Sequence, residues 1–166
     1  QAKESVGQAK KIISDGKPIL SKISWLLGKD KTRNYLVIFQ NDGELRPSGG
    51  FWTAYTTIAV NNGKITPGAA SNIYDLDDSI SVHPKAPEII LKYLPKVSTL
   101  NIRDSNISPD FIESMKLFNS LYDKSSQKQK IDGIIAIDTH VLVHVLDILG
   151  EVNAAGLTFN AKNDDR

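Results

Sequence analysis

"IDGIIAIDTHVLVHVLDILG", residues 131–150, joins a strand-like run to a helix-like run with no loop between them, and that junction decides the fold class. From Ile131 to Asp138 the run is almost wholly apolar, the composition of a strand covered on both faces. Thr139 then stands where a helix N-cap is needed, an apolar helical pattern continues to Leu149, and Gly150 ends it. On that helix Val141, Leu142, Val145, Leu146, Ile148 and Leu149 form the face expected to be buried.

Upstream, YLVIFQ (35–40) and FWTAYTTIAV (51–60) are rich in the aromatic and β-branched residues that suit a pleated, half-buried surface. NNGK, 61–64, predicts a tight hairpin turn, because Asn-Gly accepts the positive φ such turns require. A third strand is expected around Ile65 and another around Ser71 to Tyr74. Helices are expected at 84–94 and 109–123, the second with Ser108 as N-cap, Pro109 in the first position and Asp110 in the first turn. KSSQKQK, 124–130, is a solvated loop. Strands interleaved with helices predict an α/β protein, a layered α-β-α sandwich with a central mixed sheet.

An N-terminal helical segment precedes it. Residues 1–28 hold two helical stretches, an Ala/Lys-rich one to about Ser14, suited to a stalk or connector, and Pro18 to Leu27, whose Ile19, Leu20, Ile23, Leu26 and Leu27 share one face. GKDKTRN, 28–34, is a charged linker, so the expected division is a stalk over 1–28 and an α/β domain over 35–166. The chain starts at Gln1 and stops in AKNDDR, just after what looks like a helix start, the mark of a piece excised from something longer and truncated at its C-terminus.

Composition narrows the partners. The chain has 166 residues, 40% of them apolar and 23% charged, the mix of one globular domain. Lys and Arg total 20 against 19 Asp and Glu, so no charge excess points to nucleic acid. Cysteine is absent, which removes disulfides, thiolate nucleophiles and Cys-ligated zinc. No apolar run of about eighteen residues and no signal-peptide pattern is present.

Between the first two strands lies NDGELRPSGGF, 41–51, where a hairpin needs only about two to five residues. Ser48, Gly49 and Gly50 can turn backbone N–H groups toward one point, and Arg46 adds a fork for phosphate or carboxylate. The plainer alternative is that Arg46 pairs with Glu44 and the glycines relieve a crowded turn. NIRDSNISPDF, 101–111, gathers Arg103, Asp104, Asn106 and Asp110 before a helix N-terminus; part of this is capping, but Arg103 and Asn106 exceed what a cap needs. In IYDLDDSI, 73–80, Asp75 and Asp77 share a face if the segment is extended, and hard oxygen ligands suit Mg²⁺ or Ca²⁺; a solvated acidic loop is the alternative. His140, His144 and Asp147 have a spacing at which two imidazoles could share a metal, or are simply the polar face of their helix. His83 has no acid or nucleophile beside it, and no G-x-S-x-G elbow supports a triad.

Taken in order, YLVIFQNDGELRPSGGF, NGKI, YDLD, RDSNISPDF and DGIIAID followed by a helix closing in LG resemble an uncharacterised bacterial family of membrane-anchored, envelope-facing proteins, domain of unknown function 4012. A fainter similarity links IDGIIAIDTHVLVHVLDILGEVNA to the LytR-CpsA-Psr family, which attaches lipid-linked glycan polymers to the bacterial wall. That resemblance implies a polyprenyl pyrophosphate pocket with arginines, aspartates and Mg²⁺ at its mouth. Arg46 would stand near the pyrophosphate and the Asn106 region would form a second loop of the mouth. Where that family has Arg-Ser-Asp-Thr this chain has Arg-Pro-Ser-Gly-Gly, without the metal-binding aspartate, so Asp75, Asp77 or Asp104 would have to substitute.

The expectation is an extracytoplasmic envelope domain, anchored by a membrane helix upstream of Gln1, that binds a phosphorylated or lipid-linked glycan and acts near wall-polymer transfer. Its ligand set is Arg46, Ser48, Gly49, Gly50, Arg103, Asp104 and Asn106, with Asp75 and Asp77 for Mg²⁺. Any phosphoryl transfer would need a metal and cationic clamps on the leaving group, tasks for which Arg46, Arg103 and Asp104 are the residues expected. The alternative is a non-catalytic interaction or scaffold module of a membrane-anchored surface protein.

Overall fold

The computed structural model describes Gly16 and residues 22–94, 96–154 and 156–161. In chain order its strands are β1 (Arg33–Asn41), β2 (Phe51–Asn61), β3 (Lys64–Pro67), β4 (Ser71–Asn72), β5 (Gly133–Asp138), β6 (Val152–Ala154) and β7 (Leu157–Phe159). Its helices are α1 (Ile73–Asp78), α2 (Glu88–Tyr93), α3 (Phe111–Tyr122) and α4 (Thr139–Leu149), with a 3-10 turn at Ile102–Asp104.

The apolar run of β1 lies inside the sheet, antiparallel to β2 on one side and parallel to β5 on the other. β3 and β4 both pair with β2, giving a five-stranded mixed sheet in the order β3-β2-β1-β5. This is the α/β fold with a central mixed sheet that the sequence predicts. At the β2–β3 turn Asn62 and Gly63 take φ of 47° and 79°, as Asn-Gly demands. The β6–β7 hairpin forms a separate two-stranded sheet, which the sequence reading did not anticipate.

Alternation along β1 sends Leu36 and Ile38 to one face, where they join Trp52, Ile73, Leu76, Ile102, Met115, Phe118 and Leu121 in a core roofed by α1, α2 and α3. Trp52 meets Phe118 edge-on at 5.5 Å, and Phe118 stacks on Tyr122 at 5.6 Å. Tyr35 and Val37 point to the other face. There the Tyr35 hydroxyl donates to the Leu26 carbonyl at 2.8 Å, and α4 lies against β1 and β5.

The expected stalk to Ser14 and the start of the second helical stretch lie outside the described residues; residues 22–26 are helical. Gly28 follows at φ 66°, and a Cβ there would sit 2.1 Å from the Val60 carbonyl oxygen, so only glycine allows the helix end to meet the sheet this closely. The Arg33 guanidinium covers the Trp25 ring at 4.1 Å.

Local differences from the sequence reading have local causes. Only Ser71–Asn72 is strand; Asn72 and Asp75 then form a capping box that opens α1, so the segment thought extended is helical. α2 begins at Glu88 because Pro84 and Pro87 interrupt any earlier start. The N-cap of α3 is Asp110, accepting from the Ile112 N–H at 2.8 Å, while Ser108 holds the preceding turn. Asp138, not Thr139, caps α4. Finally, β5 is an edge strand, half-covered rather than buried on both faces, and of the apolar face expected on α4 only Leu146 is buried.

Candidate functional site

The loop 42–50 leaves the carboxyl end of β1, beside the carboxyl end of its parallel neighbour β5, the edge at which layered α/β folds keep ligands. Its shape comes from close backbone packing. The Gly49 N–H donates to the Arg46 carbonyl at 2.9 Å, and the Phe51 N–H to the Glu44 carbonyl at 3.0 Å. Gly49 stands at φ 119°. A Cβ on Gly50 would lie 2.6 Å from the Asn41 carbonyl oxygen, so this glycine is required by contact. The Gly49 N–H therefore closes a turn instead of facing a shared concavity with its neighbours.

The segment 101–106 is stitched to this loop. Asn106, 1% exposed, donates from Nδ2 to the Gly50 carbonyl at 2.9 Å and to Ser48 Oγ at 3.1 Å. Ser48 in turn donates to Gln40 Oε1 at 3.2 Å, and the same oxygen accepts from Trp52 Nε1 at 3.0 Å. Arg46 Nη2 lies 3.2 Å from Glu44 Oε1 and 3.9 Å from Asp104 Oδ1, with the guanidinium over the Phe51 ring at 5.0 Å. Its Nε–H is buried and has no hydrogen-bond partner among the described residues. Arg103 reaches the other side of Asp104, Nε to Oδ2 at 3.8 Å, while its Nη1 binds Asp77 Oδ2 at 2.5 Å and its plane covers Tyr74 at 4.5 Å. Buried Asp104 thus sits between two arginines. Arg46, Ser48, Gly50, Arg103, Asp104 and Asn106, distant in sequence, form one cluster.

The two aspartates expected to bind Mg²⁺ point apart, because two residues along a helix is over half a turn. Asp75 accepts from the Asn72 N–H at 3.2 Å in the capping box. Asp77 is 2% exposed, accepts from the Ile102 N–H at 2.5 Å and holds Arg103. Burial pushes the Asp77 carboxyl above its ordinary range, opposed by the Ile102 N–H and by Arg103. Among the described residues no group of three His, Cys, Asp or Glu is placed to hold a metal ion. These side chains do not fit a Mg²⁺ site.

Three residues at this edge escaped the sequence reading as a group. Asp42 accepts from the Thr139 hydroxyl with one oxygen and pairs with His140 Nδ1 through the other. Only the parallel pairing of β1 with β5 brings the start of α4 to the loop, and no local pattern announces that pairing. His83 meets the Leu100 carbonyl at 3.0 Å through Nδ1 and the Asp77 carbonyl at 3.1 Å through Nε2, tying the end of α1 to the segment before the 3-10 turn.

A family model described as a protein of unknown function, DUF4012, matches residues 30–164. The chain belongs to the DUF4012 family. No curated protein and no solved structure matches it. In this DUF4012 chain a groove of about 490 Å³ lies away from the arginine cluster, between α3 and the start of β5, lined by residues that include Ile112, Met115, Tyr122, Lys130 and Ile134. No helix among the described residues is long and apolar enough to cross a membrane.

Proposed function

We propose that this chain is an extracytoplasmic cell-envelope domain whose loops at the carboxyl ends of β1 and β5 bind the phosphate of a phosphorylated or lipid-linked glycan. The observation that carries the reading is Arg46: it is fixed by Asp104 and Phe51, its Nε–H has no partner among the described residues, and its Glu44 contact is an exposed pair. An exposed ion pair contributes about 0–1 kcal/mol, so Glu44 is a weak competitor that a phosphate, bound by two parallel N–H donors, can displace. Arg103 is held by buried Asp77 and serves to position Asp104. The envelope location and an anchoring helix outside this chain rest on the family resemblance and on its motifs. Transfer chemistry is not part of the proposal, since the carboxylates that would hold a metal are engaged with protein donors.

The test is native mass spectrometry with polyprenyl phosphate, backed by calorimetric titration with pyrophosphate, on the wild type, Arg46→Ala and Glu44→Gln. Arg46→Ala should lower affinity about tenfold or more, and Glu44→Gln should raise it several-fold because the competing carboxylate is gone. Absence of binding by the wild type, or equal binding by all three proteins, would overturn the reading. The second reading, a non-catalytic interaction module, is favoured by a separate observation, the uncovered edge of β5.

A further inference from the structure

The two edges of the sheet are built differently. On the β3–β4 edge the chain is interrupted at residues 68–70, carries Pro67, and turns the Gly68 and Ala69 carbonyls inward to the Thr56 hydroxyl, at 3.1 Å each. Breaks, prolines and charges of this kind keep an edge from pairing with another chain. The β5 edge has no break and no proline. GIIAID runs six residues without proline, and its only charge is the terminal Asp138.

Its side chains are those of an interior strand. Ile134 packs toward the α3 core, and Ile135 lies on the opposite face, the side of Gly133 and the Tyr35 ring. Yet Ile135 is 39% exposed, and Val141, Leu142 and Val145 of the following helix are exposed as well. A strand with interior composition on an open edge, flanked by an open groove on one face and an uncovered apolar helix on the other, lacks a neighbour among the described residues.

The flanking charges say which neighbour fits. Before β5 stand Lys128, Lys130 and Asp132; Lys128 is paired with Asp123 at 2.7 Å and Asp132 with Arg33 at 3.0 Å, so the exposed Lys130 leaves this end net basic. After it stand Asp138 and, brought in through Thr139 and His140, Asp42. An antiparallel second copy of β5 sets the basic start of one strand against the acidic end of the other, twice by symmetry, whereas a parallel copy sets like against like. We propose that two copies of this chain pair antiparallel through β5, extending each five-stranded sheet into one continuous sheet about a two-fold axis. The axis is perpendicular to the sheet, so the two α3 helices share one face and the two α4 helices the other. This proposal stands independently of phosphate binding.

Sedimentation velocity of the wild-type chain at micromolar concentration should show a dimer. Because the chain has no cysteine, single-cysteine variants report the edge in use. Ile135→Cys should cross-link to a disulfide dimer on oxidation, and Thr66→Cys on β3 should not. Lys130→Glu, a change at an exposed residue, should weaken the dimer about tenfold, and more salt should weaken the wild type in the same direction. A monomeric wild type overturns the proposal and leaves the edge to a strand of other origin. A dimer that cross-links through Thr66→Cys and not through Ile135→Cys overturns it as well.

Discussion

At the scale of single residues, the cluster at the end of β1 is held by buried polar side chains, Asn106 and Asp104 among them. Asn106 is almost fully buried and satisfies the Gly50 carbonyl, so Asn106→Ala should cost about 2 kcal/mol, the penalty for leaving a buried polar group without its bond. Urea unfolding should show this as a lower midpoint at unchanged slope. Asp77 allows a sharper comparison. Asp77→Ala strips the acceptor from the buried Ile102 N–H and releases Arg103, and should cost about 3 kcal/mol even after allowing for water at the partly exposed guanidinium. Asp77→Asn keeps an acceptor and should cost less than half as much; equal losses would show that the Asp77 hydrogen bonds are unimportant. That Arg103 and Asn106 exceed what a cap requires was legible in the sequence, and the structure brings both into one cluster with Arg46. Asp42 and His140 were not legible, because their meeting depends on a pairing between segments nearly a hundred residues apart.

At the scale of elements, sequence patterns located the helices and strands better than they located their ends. Ser108, Asp110, Asp138 and Thr139 are all acceptable N-caps, and a cap works only where its oxygen reaches the second or third N–H of the helix. In α3 that oxygen belongs to Asp110. Asp110→Ala should therefore cost about 1 kcal/mol, with Ser108→Ala costing a few tenths, as read by thermal or urea unfolding. The opposite ranking would restore the Ser108 cap. For β5 the composition is that of a covered strand, and the run was rightly recognised as strand, but composition carries no record of whether the neighbour belongs to the same molecule. The acidic pair in α1 failed for another reason: Asn72 and Asp75 form a capping box, and helix geometry then separates carboxylates that an extended chain would align.

For the molecule as a whole, the parallel pair β1–β5 joins the C-terminal part of the chain to the sheet, and its amino-terminal end is clamped by Asp132. The carboxylate accepts from the Asn34 N–H and from Arg33 Nη1, each at 3.0 Å, and the Asp132 N–H donates back to the Asn34 carbonyl at 2.6 Å. The Asn34 N–H, followed by Arg33, holds the Asp132 carboxyl below its ordinary value of 3.8. A carboxyl lowered by folding contributes stability that is fully present above 3.8 and disappears as the pH falls through its folded value. Asp77 acts in the reverse sense: its folded value lies above 3.8, so its contribution is present in acid and is lost as the pH rises through that value. The two substitutions should consequently diverge when unfolding is followed from about pH 3 to about pH 6. The deficit of Asp132→Asn against the wild type should shrink toward acid, and that of Asp77→Asn should shrink toward neutral pH. Parallel curves for both variants would mean that neither contact discriminates between protonation states, and that the acid response of this fold originates elsewhere.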